Sequence, residues 1–295
     1  MNAPLLTMGL ALLAVSQPMT PSSFTTAKQR AMEVTLDHRQ TLYCGCDFSV
    51  DSTLNPEQCG YVPKQMFTAT GNVNVRTGRI EWEHIVTAYR MGKGRKCWED
   101  KTAFPTCQRE SGSWLSPREC CRKVDPVFRA METDLHNLWP AIGELNADRS
   151  NKPFSSVAGE ERAYGACDFE VTSSVAEVRP ASQGEVARAS LYMALVWDVP
   201  LMEEERVQFQ AWSLADPPDE WELERDRRIA ELQGVNNPFV SEHPYVHNGK
   251  PCTPRFHCCR VCSASQACGN ACISSSKTCA TEPGCACQRS DLCPE

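Results

Sequence analysis

The sequence predicts an α+β fold, mostly helical around a small sheet, with a small disulfide-rich module at its C-terminal end. Three observations lead there: a strand-like alternation before residue 86, helical apolar periodicity downstream, and a cysteine distribution that crowds ten of eighteen cysteines beyond residue 251. A chain of 295 residues with 41% hydrophobic and 23% charged content can bury a real core and is neither disordered nor collagen-like. A net charge of −7 excludes nucleic-acid binding through general basicity but leaves room for a local basic patch. Eighteen cysteines, an even number, point to an oxidising compartment and full pairing.

The elements follow in order along the chain. Leu5 to Val15 is apolar apart from Thr7 and Gly9 and runs out in Ala14-Val15-Ser16, a cleavage signal, so residues 1–16 read as a signal peptide. No other stretch approaches the roughly 20 apolar residues of a membrane span, and an exported, periplasmic or secreted, chain is expected. Between Asn72 and Val86 the apolar residues Val73, Val75, Ile80, Trp82 and Val86 alternate, and Thr77-Gly78 is placed to turn a hairpin. Val124, Phe128, Met131, Leu135 and Leu138 then recur at intervals of four, three, four and three, the stripe of a helix, with Asn137 off that stripe. The segment from Ala187 to Gln233 reads as helices broken at Pro217-Pro218, and Asn236 to Lys250 has linker character. A boundary near residue 248 therefore divides a domain over 30–247 from a module over 248–295. That module has too few large apolar residues to fold on a core. Cys259 and Cys262 with His257 offer half of a zinc site, but the oxidising compartment favours five disulfides over structural zinc.

The chemistry-bearing residues are Glu83 and His84 at the end of the strand-like segment. A carboxylate beside a histidine, followed by a segment presenting an amide, is the set that one-metal phosphodiester hydrolysis needs. Carboxylate and amide oxygens suit hard Mg²⁺, and a neutral imidazole can take a proton from water. Around them, from His84 to Asp125, nine basic side chains face five acidic ones, a locally basic loop in an acidic chain. Trp82, Trp139, Trp212 and Trp221 lie among apolar neighbours and read as packing. Glu81 lies on the same strand face as Glu83 and is a candidate either for supporting the metal or for a structural ion pair, and Asp148-Arg149 reads as a buried structural pair.

The segments Ile80-Glu81-Trp82-Glu83-His84-Ile85-Val86 and Asp134-Leu135-His136-Asn137-Leu138-Trp139-Pro140-Ala141-Ile142-Gly143-Glu144-Leu145-Asn146-Ala147-Asp148-Arg149-Ser150-Asn151 closely resemble the bacterial endonuclease I family. The resemblance extends to Tyr43-Cys44-Gly45-Cys46, to Cys59-Gly60-Tyr61 and, downstream, from Trp212 to Val240; it covers roughly residues 35 to 240. It implies a disulfide-bonded, His-Me finger (ββα-metal) endonuclease that cuts DNA, and RNA as well, with little sequence preference and as a monomer. It implies His84 as general base, Glu83 and Asn137 as ligands of a single Mg²⁺, and Arg109 on the scissile phosphate, with Arg118, Arg122 and Arg149 as further phosphate or supporting candidates. The chain departs from the family pattern at Thr87, where proline is common, which puts the loop after the histidine in doubt. The competing class is a catalytically silent binding or surface-attachment protein that keeps the fold as a scaffold for its tail.

Overall fold

The computed structural model describes residues 17–159, 162–247, 250–282 and 284–293, so the expected signal peptide at 1–16 lies outside the described residues. The described chain enters through α1 (Phe24–Val34), where the Ser23 hydroxyl accepts from the Thr26 N–H and Ala27, Ala31 and Val34 turn one buried face inward. Strand β1 (Ile80–His84) then leads into α2 (Ala88–Gly92), α3 (Lys96–Glu99), α4 (Pro117–Val124) and α5 (Pro126–Glu132). Strand β2 (Leu138–Ile142) returns antiparallel to β1, with Ile80 opposite Ile142 and His84 opposite Leu138. It runs directly into α6 (Gly143–Arg149).

Beyond α6 come the pair β3 (Phe169–Val171) and β4 (Ala176–Val178), then α7 (Gln183–Trp197), α8 (Glu203–Ala215), α9 (Glu220–Gln233) and the short α10 (Pro238–Ser241). The break at Pro217-Pro218 falls between α8 and α9, as the sequence suggests. One core packs β1 and β2 between α1, α7, α8 and α9; a second gathers α2 to α5 around Met91, Phe128, Met131 and two disulfides. Among the described residues no helix is long and apolar enough to cross a membrane.

Two elements differ from the sequence reading. The expected hairpin around Thr77-Gly78 does not form: Val75–Gly78 is a 3-10 turn capped by the Asn74 side chain, and β1 takes its partner from residues 138–142. Val73 and Val75 are 65% and 63% exposed, so the alternation there does not mark a buried strand face. The apolar stripe from Val124 to Leu138 is not one helix either. Pro126 disfavours helical backbone at Asp125, which is extended; the Asp125 N–H closes α4 on the Cys121 carbonyl, and its carboxylate starts α5 on the Phe128 N–H. Phe128, Met131, Leu135 and Leu138 are all buried, yet they belong to a helix, a 3-10 turn and a strand.

The segment after α9 is not a free linker. Asn237 and His243 are buried, Asn237 Nδ2 donates to the Arg188 carbonyl, and the Tyr245 hydroxyl donates to the Pro218 carbonyl at 2.9 Å. Asn236 to Tyr245 thus packs on the helices, because Asp226 accepts from the Asn237 N–H and ties the turn down. The tail begins with β5 (Val246–His247) paired to β6 (Lys250–Pro251), followed by β7 (Arg260–Cys262), the hairpin of β8 (Gln266–Cys268) and β9 (Ala271–Ile273), and β10 (Ala286–Gln288) parallel to β7.

Nine disulfides account for all eighteen cysteines. Four hold the larger part: Cys44–Cys167, Cys46–Cys59, Cys97–Cys121 and Cys107–Cys120. Five lie within the tail: Cys252–Cys293, Cys258–Cys287, Cys259–Cys285, Cys262–Cys272 and Cys268–Cys279. With Cys259 and Cys262 both bonded, no thiolate remains for zinc at the Cys259, Cys262 and His257 cluster. Cys44–Cys167 closes the longest loop, a separation of 123 residues, and its loss should therefore weigh most on the unfolded chain. The Cys44→Ser/Cys167→Ser variant should lose about 2 to 5 kcal/mol of unfolding free energy in guanidinium titration. A midpoint unchanged from wild type would remove this crosslink from the stability of the domain.

Candidate active site

An open cleft of about 1020 Å³ lies where β1 ends, walled by α1, the start of α4 and α6. The short strand pair brings this about: β2 carries the chain straight into α6, so a helix face and a strand end meet at one place. Gly143 permits the close approach, since a Cβ there would come within 2.8 Å of the Arg76 carbonyl oxygen and 3.2 Å of the Glu81 carboxyl carbon. Glu81, Glu83 and His84 reach the cleft from β1, Asn146 and Arg149 from α6, and Arg118 from α4. Lys28, Arg76, Arg79, Arg118 and Arg149 line it against Glu81 and Glu83 alone, so it is positive in a chain whose net charge is −7.

Arg149 organises the strand end. It is buried, and its guanidinium donates to Glu83 Oε1 at 2.9 Å, to the His84 carbonyl at 2.8 Å and to the Ile85 carbonyl at 2.7 Å. The Tyr43 hydroxyl donates to the same Glu83 oxygen at 2.7 Å. Burial pushes the Glu83 carboxyl above its ordinary range, while Arg149 and Tyr43 pull it down. Its Oε2 accepts no hydrogen bond among the described residues.

His84 stands at 7% exposure, with Nε2 2.8 Å from the Glu132 carbonyl oxygen and its ring stacked on Phe24 at 5.1 Å. A ring nitrogen against a carbonyl must carry the proton, which leaves Nδ1 as a bare lone pair. Burial, with Arg118 adding to it, lowers the imidazole to about 4, so the ring is neutral at pH 7.

Asn146 donates Nδ2 to Glu81 Oε2 at 3.1 Å, and Glu81 is held in turn by Arg76 and Arg79. Asn146 Oδ1, like Glu83 Oε2 and His84 Nδ1, has no hydrogen-bond partner among the described residues. The cleft thus offers one carboxylate oxygen, one amide oxygen and one imidazole nitrogen, all unused. This donor set fits a hard divalent cation that keeps most of its water shell better than a fully protein-caged metal. Among the described residues no group of three or more His, Cys, Asp or Glu side chains gathers around a point a metal could occupy, in the cleft or outside it.

Several expected site residues stand elsewhere. Asn137 does not reach the cleft: its Oδ1 accepts from the Val86 N–H at 2.8 Å and its Nδ2 donates to the Val86 carbonyl at 2.9 Å, extending the strand pairing past His84. Both ends of that amide bond backbone and the residue is fully buried outside the cleft lining, so it presents no group to the cleft. Arg109 is half exposed and pairs with Glu119 on the surface, outside the cleft lining. Asp148 and Arg149 do not pair with each other, because neighbours on a helix point about 100° apart. Asp148 takes the Tyr164 hydroxyl, while Arg149 turns inward to Glu83. Glu81 serves as an ion-pair partner that also holds Asn146. Arg118 lines the cleft; Arg122 shares its partner Glu132. Thr87 keeps φ at −64°, the angle proline would impose, and its hydroxyl caps α2 by accepting from the Arg90 N–H.

Asn146 escaped the sequence reading because the long apolar stripe concealed the start of β2, and with it the helix that follows. The available signal was the Asn146 and Arg149 spacing, three residues apart on one helix face. The residues Asp134, His136 and Trp139 of the same motif are structural. Asp134 accepts from the Tyr192 hydroxyl, Trp197 Nε1 and Gln233 Nε2, and Trp139 lies under the Arg225 guanidinium at 3.8 Å.

Comparison with known proteins finds a matching family and several relatives. The family model for Endonuclease I matches residues 25–244. An extracellular deoxyribonuclease of Aeromonas hydrophila is 38% identical over 248 residues, covering 82% of this chain and 99% of its own. A periplasmic deoxyribonuclease of the same organism is 38% identical over 251 residues, covering 82% and 96%. An Endonuclease-1 of Buchnera aphidicola is 32% identical over 231 residues, covering 77% and 83%. With the family model spanning both strands, α6 and all of the cleft lining but Phe24, the chain belongs to the endonuclease I family.

Proposed function

We propose that this protein is an exported endonuclease, periplasmic or secreted, that hydrolyses phosphodiester bonds in DNA, and in RNA as well, by a one-metal mechanism. The observation that carries the reading is the cleft itself: three unused acceptors, Glu83 Oε2, Asn146 Oδ1 and His84 Nδ1, inside a positive wall on an acidic protein. The order β1, β2, α6 supports a ββα-metal (His-Me finger) site. Division into a catalytic domain over 30–247 and a tail over 248–295 is part of the same proposal.

In this reading Glu83 and Asn146 would hold a single Mg²⁺, Asn146 taking the place expected of Asn137. When bound, that ion supplies positive charge to the phosphate and to the leaving oxygen. Nδ1 of His84 accepts a proton from the water that attacks phosphorus, and the Glu132 carbonyl holds the tautomer that makes this nitrogen available. The bond from phosphorus to the 3′-oxygen breaks and leaves a 5′-phosphate. Arg118, in place of Arg109, grips the scissile phosphate through its Nη groups. Contacts of this kind address the backbone, which supports cleavage with little sequence preference.

Supercoiled plasmid should be nicked by the purified protein, nicking should stop in EDTA, and Mg²⁺ in excess should restore it. Nicking that persists in EDTA would sink the metal reading, and none under any condition would favour the silent scaffold.

The two asparagines should separate cleanly. Asn146→Ala should reduce turnover by at least about tenfold at unchanged melting temperature, the scale of losing a metal ligand or its support. Asn137→Ala should lower stability, because the Val86 N–H and carbonyl lose partners at about 1 to 3 kcal/mol each. Full activity in Asn146→Ala would return the ligand role to another residue.

His84→Ala should cost on the order of 10² to 10⁴ in turnover. Because the wild-type imidazole titrates at about 4, the base stays neutral well below the ordinary histidine range. The rate at low substrate should stay flat from pH 8 to about 5 and fall as pH drops through about 4. An inflection near 6.5 would show that His84 is not held as described.

A further inference from the structure

The loop between Tyr61 and β1 turns apolar side chains outward beside the cleft. Met66 and Phe67 are 54% and 60% exposed, and Val62, Val73 and Val75 are more than half exposed as well. Phe67 lies opposite Val73 across a single antiparallel bridge. The Thr68 N–H donates to the Asn72 carbonyl at 2.8 Å on one side of it, and the Asn74 N–H to the Met66 carbonyl at 2.9 Å on the other. Phe67 and Val73 are therefore a non-hydrogen-bonded pair, in which cross-strand side chains stand closest, and they make one exposed apolar face. Clustered apolar groups in water, unlike single ones, mark a contact surface.

The loop is fastened to the element that builds the site. Buried Glu144 of α6 accepts at Oε1 from the Gln65 N–H at 2.7 Å, and at Oε2 from the Tyr61 hydroxyl at 2.6 Å and the Lys64 N–H at 3.1 Å. Asn74 Nδ2 closes the root on the Gln65 carbonyl at 3.0 Å. Glu144 shares α6 with Asn146 and Arg149, and the returning arm runs into Arg76, which lines the cleft with Val50 and Arg79. The apolar face is thus held in place relative to the reacting groups.

Two observations say what it meets. Residues 64–79 contain three cations, Lys64, Arg76 and Arg79, and no carboxylate. Both arginines share Glu81 and Lys64 reaches Asp148, so the root stays positive and suits a polyanion. The tip, in contrast, is polar: the Thr68 and Thr70 hydroxyls lie 2.9 Å apart and Asn72 Nδ2 donates to Thr70 Oγ1. A loop seated in a membrane would place such a tip among lipid, at a cost, whereas a strand of nucleic acid leaving the cleft meets the apolar flank.

We propose that Phe67, backed by Val73, is a stacking platform for a nucleobase of the strand held in the cleft. The inference rests on the reading of the cleft as the nuclease site. A base reaches the phenyl ring only by leaving its neighbour in the duplex, which costs least at TA and CA steps. Stacking then adds affinity at whichever step opens, without hydrogen bonds to base edges. The loop gives a bias among phosphodiester bonds and does not read a sequence.

The test compares the full-length protein with Phe67→Ala, an exposed site whose change should leave the melting temperature as it is. On end-labelled duplex DNA resolved to single nucleotides, the wild-type ladder should favour TA and CA steps, and Phe67→Ala should flatten it. KM for duplex should rise about tenfold, the scale of one lost base stack, with kcat falling less. A readout independent of cutting uses His84→Ala protein and a short duplex with 2-aminopurine at a TA step. Its fluorescence, quenched by neighbouring bases, should rise on binding, and should not rise with the His84→Ala/Phe67→Ala protein. An unchanged ladder and KM in Phe67→Ala, or 2-aminopurine that stays quenched on binding, would overturn the inference and leave the nuclease standing. Loss of binding to phosphatidylglycerol vesicles in Phe67→Ala, with the ladder unchanged, would assign the loop to a membrane and overturn it too. No nicking of any DNA by the wild-type protein would overturn the reading of the cleft, and the inference with it.

Discussion

The buried guanidinium of Arg149 is the contact on which the site depends. It reaches from the last turn of α6 to the end of β1 and satisfies two carbonyls there, those of His84 and Ile85, together with the Glu83 carboxylate. A buried cation is tolerable only with such full pairing, and removing its partners would strand an uncompensated charge. In return it holds the backbone that carries Glu83 and His84. The glycine at 143 brings α6 close enough to the strands, and the pairing of Asn137 with Val86 keeps β1 and β2 together past the histidine. These contacts bear on one short stretch of backbone, which gives the cleft its shape.

The electrostatics divide the molecule into regions with separate tasks. Half of the lysines and arginines between β1 and β2 are held in ion pairs: Arg90 with Glu205, Arg95 with Asp125, Arg109 with Glu119, and Arg118 and Arg122 with Glu132. Of these only Arg109 with Glu119 is exposed on both sides, and such a pair contributes little. What remains positive is the cleft, where five cationic side chains face two carboxylates. Buried arginines elsewhere serve architecture, as Arg188 does with Glu222, and as Arg225 does under the carbonyls of Leu135 and Leu138. Charge thus gathers at the cleft without making the protein basic overall.

Much of this was legible in local sequence. The Glu83-His84 pair, the burial of Phe128, Met131, Leu135 and Leu138, the helices α8 and α9 with their proline break, and a tail crosslinked within itself all follow from residues near one another in the chain. Other features were misread for reasons that can be named. Periodicity identified which residues are buried but not the backbone that buries them, so one stripe concealed two helices, a turn and a strand. The Asn137 amide looked like a ligand until its backbone partners were visible, and Arg109 looked close to the site until Glu119 claimed it.

Composition and cysteine count by themselves pointed to the oxidising compartment and the full pairing of cysteines, and the family resemblance carried by residues 80–86 and 134–151 pointed to the kind of chemistry, because each depends on residue type and near neighbours alone. Tertiary structure decided which asparagine and which arginine face the histidine, which cysteine joins which, and that β1 pairs across the long loop with β2. Those choices join groups far apart in sequence, His84 with Glu132 and Arg149 with Glu83 among them, and only the packing of distant segments determines which of several chemically equivalent partners comes within hydrogen-bonding reach.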